Sequence, residues 1–526
     1  METCDAAVIG SGPNGLVAAN LLADEGWDVL VLEAQPSVGG AVRSDSAVHP
    51  DYVHDTFSSF YPFVAASPVM QALRLERYGV EWSHAPAVVG TPFREGPWAL
   101  LHHDAEETAR SLEEFAAGDG EAYLDLVQAW HRVGERLMGA MLDPFPPVRS
   151  GLGLLARLPT VGGLGFARML VSPLRALVDT RFRGDGAKML FGGNAVHADI
   201  PMDAPGSGAF GLIMVMLGQD LGFPVPRGGA GRLSQALVDR LTQRGGRVRR
   251  SCRVTRIDVR RGRAVGVRTA DGEAVQVRKA VLADVSAPAL YGGLVDRADL
   301  PDRVLRRMGR FEWDPGTVKV DWALDGPVPW ATPPAAQPGT VHLAESVSEL
   351  AQAQLDTANG VVPGRPFLVV GQMATSDPVR APAGAESLWA YTHIPQEFRA
   401  DGGDGSITGR WDHDDVERMA DRVQAQVEQY APGLASRVVA RRVLGPRELE
   451  AADENLRRGA LNGGAASIHQ QLVFRPYPGN GRPATPVRGL FLASASAHPS
   501  GGVHGACGAN AARDALAHDR AAVWRR

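Results

Sequence analysis

Apolar runs and glycine-rich turns alternate along the first forty residues. Residues 6–9 (AAVI) are apolar without alternation, which predicts a strand buried on both faces. Gly10-Ser-Gly12-Pro-Asn-Gly15 follows at once. Residues 16–23 then carry a helical pattern, Gly26 stops it, and residues 28–32 (DVLVL) predict a second strand ending at Glu33. Gly10 permits the tight turn, Gly12 lets a pyrophosphate approach the backbone, and Gly15 lets helix and strand pack closely. The free N–H groups at the helix start suit phosphate. Glu33 is placed to accept hydrogen bonds from an adenosine ribose. A glycine triplet alone is a weak signal, but here strand, helix, the small Ala19 and the terminal acid agree. Val38-Gly39-Gly40 adds a second glycine turn, with Arg43 three residues later. That suits a ligand longer than NAD, running on toward a flavin. Arg43 either pairs with the pyrophosphate, covers the flavin edge, or is a solvated surface arginine.

Further along, residues 247–251, 253–259, 264–269 and 273–278 predict short strands, with Asp271-Gly272 as a hairpin turn. Residues 280–282 predict a buried strand ending at Ala283-Asp284. An antiparallel excursion returning to a parallel strand is how flavin-binding Rossmann domains are interrupted. Before it, residues 226–231 (PRGGAG) lead into an amphipathic helix over 233–241. Near the C-terminus, 489–496 (GLFLASAS) predicts a buried strand, followed by His498-Pro-Ser-Gly-Gly502 and a helix of small residues from Val503 to about 517. A helix start aimed at a flavin stabilises the negative charge that builds there on reduction. Glycines at 501, 502 and 505 let the backbone touch the ring.

Length and composition narrow the picture. At 526 residues two or three domain-sized units are expected. A net charge of −5 gives no footprint for nucleic acid. Cys4, Cys252 and Cys507 match neither a metal-ligand spacing nor a disulfide framework, which predicts no metal and a reducing, cytoplasmic compartment. The strand beginning near Asp5 leaves no room for a signal peptide. The longest apolar stretch, 208–218, is too short to span a bilayer. The chain is expected to be soluble, or peripheral at a membrane.

Four blocks together, DAAVIGSGPNGLVAANLL with VLEAQPSVGG, then PRGGAGRLSQAL, TVKVDWALDGPVPW and TPVRGLFLASASAHPSGGVHGACGANAA, resemble the phytoene-dehydrogenase-like flavoproteins. These are relatives of carotenoid desaturases and, more distantly, of amine oxidases. The resemblance implies an α/β chain with a Rossmann-type, glutathione-reductase-like two-dinucleotide fold. Residues 1–75, 222–290 and 460–526 would build the FAD domain. Residues 76–221 and 291–459 would build a substrate domain of mixed β-sheet and helices. It further implies noncovalent FAD held by Gly10, Gly12, Pro13, Asn14, Gly15, Glu33, Ala34, Gly39, Gly40, Arg43, Val254, Ser496, Gly502, Val503 and His504, with Val254 touching the adenine through its backbone. Two departures stand out. His504 replaces a non-titratable residue, often proline, of bacterial phytoene desaturases. The Asp that closes the C-terminal strand in many flavoproteins is absent, leaving Ser494 or Ser496 for the ribityl chain.

The expected chemistry is hydride transfer from a hydrophobic small molecule to the flavin, assisted by a base. His504 and His498 are the acid/base candidates. His469 is expected to be a structural strand histidine. Lys319 and Asp321, on one face of a strand, line the cavity or pair with each other, and the pair is favoured. Phe57, Phe60, Tyr61 and Phe63 fit core packing or a substrate tunnel equally. Residues 151–177 are expected to be internal helices with snorkelling arginines, ahead of a membrane-facing pair. With one dinucleotide fingerprint and no CxxC, electrons would leave to oxygen, a quinone or another diffusible acceptor. An amine or heteroatom oxidase is the alternative, with only Tyr477 and Trp389 offering an aromatic cage. A flavin fold kept as a weakly catalytic binding protein is the third reading.

Overall fold

A computed structural model describes residues 2–523. Two seven-stranded sheets organise the chain. In the first, Leu490–Leu492, Ala274–Ala283, Glu2–Ile9, Val29–Leu32 and Arg247–Arg249 lie side by side and parallel. Val281 stands opposite both Ala7 and Leu490, and Leu30 opposite Ala7. Helix Pro13–Asp24 covers one face, flanked by Gly231–Gln243 and Ala506–Val523. It begins three residues before the expected start, because proline at the first helical position has no N–H to lose.

The two strands expected over 273–278 and 280–282 are one, Ala274–Ala283. Its first half pairs antiparallel with Arg263–Thr269 on one edge, and on the other edge it pairs parallel with Glu2–Ile9 from Val275 to Ala283. A bulge between Val277 and Ala280 absorbs the polar residues that looked like a break. There Arg278 reaches Asp5 at 2.8 Å and Lys279 lies over the Trp27 ring. At the other end of the chain, strand Leu490–Leu492 stops well short of Ser496, and the last helix begins at Ala506 rather than Val503. Gly502 and Gly505 have φ of +99° and +67°, which no helix accommodates.

The second sheet runs Val438–Leu444, Gly316–Leu324, Glu386–Ile394, Leu368–Gln372, Pro338–Leu343, Ala87–Thr91, Ala99–Leu101. Val318, Val320, Trp322 and Leu324 pack with Val416, Met419 and Val423 of helix His413–Glu428. Alternation therefore turns Thr317, Lys319 and Asp321 to the opposite face. Helices Asp119–Leu142, Asp185–Val196 and Ser207–Leu221 form a separate apolar layer. Ser207–Leu221 holds the longest apolar stretch and is a buried core helix. Among the described residues no single helix is long and apolar enough to cross a membrane.

The internal position expected for 151–177 is corrected in its first part. Helix Val148–Arg157 buries no residue, and Leu152, Leu155 and Leu164 are 62%, 61% and 88% exposed. Periodicity reveals an apolar stripe but not what covers it. Helix Leu174–Arg181, in contrast, does bury Leu174, Leu177 and Val178. His469 is not on a strand. It sits exposed in the short helix Ile468–Gln470, 2.8 Å from Glu312.

Candidate active site

One cavity of about 540 Å³ runs from the glycine-rich turn to the second sheet. Its nucleotide end is bordered by Gly12, Pro13 and Asn14 and by the segment 494–504. Its far end is bordered by Thr317, Lys319, Trp389 and Tyr391. Phe57, Phe60, Tyr61 and Phe63 all line it, and each also packs against an apolar core, so the cluster serves both as core and as cavity wall.

Around the turn each residue has a definite place. Ser11 donates its N–H and hydroxyl to Glu33 Oε2 at 2.8 and 2.6 Å, and Gln35 N–H donates to Oε1 at 2.7 Å. Glu33 is thus fixed and buried, with Ala34 behind it. The chain from Cys252 to Val254 runs alongside, Cys252 donating its N–H to the Glu33 carbonyl at 2.7 Å. Gly39 donates to the Ser11 carbonyl, and a β-carbon on Gly40 would lie 3.0 Å from Gly12 Cα. The second glycine turn therefore rests on the first. Glu33, Ala34, Gly39, Gly40, Arg43 and Val254 lie outside the cavity lining, as do Gly10 and Gly15 beneath the turn. Arg43 donates to Ser37 and to the Ala452 carbonyl, with its guanidinium over Phe57.

The C-terminal segment carries both candidate bases into the cavity. His504 accepts the Ala506 N–H at Nδ1 (3.0 Å), which leaves the ring proton on Nε2; burial pushes its pKa down to about 4. His498 is the reverse. Its Nε2 donates to the Asp143 carbonyl at 3.1 Å, and its buried Nδ1 has no partner. Burial lowers its pKa, so at neutral pH it presents a free lone pair. Ser496 donates to the Gly463 carbonyl, and Ser494 accepts the Ser496 N–H. Two buried groups that carry no local sequence signal hold this region. Arg475 donates to the carbonyls of 462–465 and 495, and Asp314 accepts the N–H groups of Leu461, Asn462 and Gly464.

At the far end Lys319 and Asp321 form the expected ion pair, and Lys319 borders the cavity as well. Of the two aromatics offered for a cage, Trp389 borders the cavity and Tyr477 does not. Trp389 stacks on Tyr391 at 5.9 Å, whereas Tyr477 packs against Tyr291 in the core of the first sheet. Tyr391 sits two residues beyond Trp389 on one strand, a same-face signal that period-2 alternation carries. Asp284 and Asp453, also unassigned from sequence, border the cavity beside the turn.

These features fit FAD. The turn has no side chain where a pyrophosphate approaches, a fixed acid stands at the ribose position, and a β-carbon on Gly12 would fall 2.7 Å from Asp284 Oδ2. The model of the flavin-containing amine oxidoreductases matches residues 14–516. The chain belongs to that family. It is an FAD-dependent oxidoreductase. Mouse pyridine nucleotide-disulfide oxidoreductase domain-containing protein 2 is 28% identical over 97% of this chain and 92% of its own. A component of the limonene dehydrogenase of Castellaniella defragrans is 23% identical over 100% and 96%, and phytoene desaturase of Fusarium fujikuroi 24% identical over 94% and 86%. The crystal structure of an oxidoreductase from Methanosarcina mazei superposes with a TM-score of 0.63 at 15% identity, covering 98% of this chain and 100% of that one. A putrescine oxidase variant gives 0.62 at 15% identity, covering 98% and 99%. The resemblance to carotenoid desaturases and amine oxidases is borne out. The disulfide chemistry in the mouse protein's name finds no dithiol here, since all three cysteines are buried and unpaired.

Proposed function

We propose that this flavoprotein is a dehydrogenase or desaturase that removes a hydride and a proton from an apolar small molecule bound in the central cavity. The observation that carries this reading is the continuity of one cavity from Gly12 to an aromatic wall of Phe57, Phe60 and Phe63. When bound, FAD supplies the hydride acceptor. The aromatic wall excludes water and holds an apolar substrate against the 498–504 segment. His498, whose neutral ring borders the cavity, takes the proton. His504 keeps its ring fixed through Ala506 and donates from Nε2. Lys319 is neutralised by Asp321 behind the Trp389 ring, so the far end offers an apolar wall with no free charge for a cationic substrate. The names of the limonene and phytoene enzymes support a hydrocarbon substrate class.

The thiol of Cys507 is pushed up to about 12 by burial and donates to the Ala497 and Ser500 carbonyls, which supports noncovalent cofactor binding. Electrons would leave to oxygen or a quinone. The exposed leucines of 148–164 support peripheral contact with a membrane, from which an apolar substrate would come, in a reducing, cytoplasmic setting. The stacked Trp389–Tyr391 pair favours the amine oxidase alternative.

Anaerobic bleaching of the flavin absorbance by a panel of alkenes, terpenoids and amines decides between them. Bleaching by an apolar alkene or terpenoid supports the dehydrogenase. Bleaching by amines alone, with peroxide formed in air, replaces it with the oxidase, and no bleaching by any class overturns both.

A further inference from the structure

Two carboxylates converge on the turn that receives the cofactor's pyrophosphate. Asp284 follows strand Ala274–Ala283, and its Oδ2 accepts the Gly15 N–H at 2.8 Å. That N–H belongs to the helix start where a diphosphate is held. Asp453 arrives from the other side. Its Oδ2 lies 3.2 Å from where a β-carbon on Gly40 would stand, and that same point is 3.0 Å from Gly12 Cα. Both acids border the cavity beside Gly12.

Among the described residues neither acid forms a salt bridge, and no cation acts on Asp284. Arg43 offsets Asp453 only in part, since its guanidinium donates to Ser37 and to the Ala452 carbonyl and lies over the Phe57 face. The other facing groups add negative charge or none. Glu33 is bound to Ser11 and Gln35, Glu454 pairs outward with Arg253, and the Cys507 thiol is neutral. Asn455 touches both acids without charge, donating its N–H to Asp453 and its side chain to the Asp284 carbonyl. Two ionised acids beside a diphosphate would set four negative charges around one glycine, with little solvent to screen them. A neutral carboxyl in the same place is instead a donor, and an O–H donated to a phosphate oxygen is among the stronger hydrogen bonds.

We propose that Asp284 and Asp453 hold the FAD pyrophosphate as a pair sharing one proton, so that the protein takes up a proton from solvent when it binds its cofactor. This rests on FAD as the ligand. Burial already holds Asp284 up at about 7, and it raises Asp453 as well, so the proton is gained readily near neutral pH. The acid missing after Leu490–Leu492 is thus supplied by the neighbouring strand, for a different task.

The test is calorimetric titration of the full chain, depleted of flavin, with FAD, ADP and adenosine at about pH 8 in two buffers of unlike ionisation heat. Uptake approaching about one proton is expected for FAD and ADP and none for adenosine, which lacks the pyrophosphate. The FAD dissociation constant should rise by up to about tenfold per pH unit above neutrality. Asp284→Asn should abolish most of the uptake and flatten that slope. Asp453→Asn should reduce both, and carries the test if the first variant does not fold. FAD binding without proton uptake in the wild type, or with unchanged uptake in both variants, overturns the proposal and leaves the cofactor in place. Failure to bind FAD even at about pH 6 overturns the cofactor itself.

Discussion

Behind the far wall of the cavity, Arg380 is fully enclosed yet lies 2.8 Å from Asp55 and 3.0 Å from Asp377, and Lys319 and Arg442 share Asp321. At the cofactor end, Asp284 and Asp453 are held among glycines with no ion pair among the described residues. The first arrangement is complete before a ligand comes. Its charges cancel, the wall is rigid, and the aromatic side chains in front of it face an apolar substrate. The second is complete only with a ligand and a proton. A buried ion with its partner is scaffold, whereas a buried acid without one is a binding group in waiting.

The largest effect should fall where the two ends meet. His498→Gln should slow flavin reduction by a bleaching substrate about 10²–10⁴-fold in stopped-flow. His504→Gln should cost within about tenfold, the worth of one hydrogen bond. The reverse order would move the base to His504. Because the base acts neutral, the wild-type rate should be flat at neutral pH and fall in acid, below the ordinary histidine value of 6.5.

Next in size is the contrast in charge itself. Arg380→Met strands Asp55 and Asp377 and should cost about 3–5 kcal/mol in urea unfolding. Asp284→Asn removes an uncompensated acid and should cost the flavin-free protein nothing near pH 8. The sign follows from the raised pKa: the folded state favours the neutral acid. Flavin-free wild type should therefore lose stability as pH rises from the ordinary value of 3.8 through about 7, and the variant should lack that portion of the slope. Equal losses in the two variants would erase the distinction between the ends.

A smaller effect tests the packing beneath the cofactor end. A β-carbon on Gly508 would collide with the Asn14 carbonyl, so Gly508→Ala should cost about 1–3 kcal/mol and release flavin at a lower temperature. Smallest is Leu155→Ser on the uncovered face of helix Val148–Arg157, which should change unfolding by no more than about 0.5 kcal/mol. It should nevertheless weaken co-sedimentation with anionic phospholipid vesicles, and unchanged sedimentation would remove the membrane from the proposed function.

What could be read from the sequence was what is local. The glycine turn, the helix behind it, Glu33 and the 498–504 segment are each encoded within a few residues, and the strands of the first sheet are short apolar runs. Asp284 was visible as the residue closing a strand, but its bond to Gly15 spans 269 positions, and nothing near either residue announces it. Asp453 and Arg380 were invisible for the same reason. Tyr391 could have been found from its alternation with Trp389. The bulge at Arg278-Lys279 misled because charged residues inside a strand look like a boundary until Asp5 and Trp27 are seen to receive them. For helix Val148–Arg157, packing against Asp119–Leu142 takes in Leu154 but leaves Leu152 and Leu155 without a cover among the described residues.

The contact of Gly508 with Asn14 also sets an order on biosynthesis. The nucleotide turn leaves the ribosome first, but the strand beside Asp284 and the helix that seals Pro13–Asp24 are made nearly five hundred residues later. Until then the earliest part of the chain must wait as an unfinished, glycine-rich edge, exposed to chaperones and proteases. The cofactor site is therefore closed only once the segment from Leu490 to the helix Ala506–Val523 has been made.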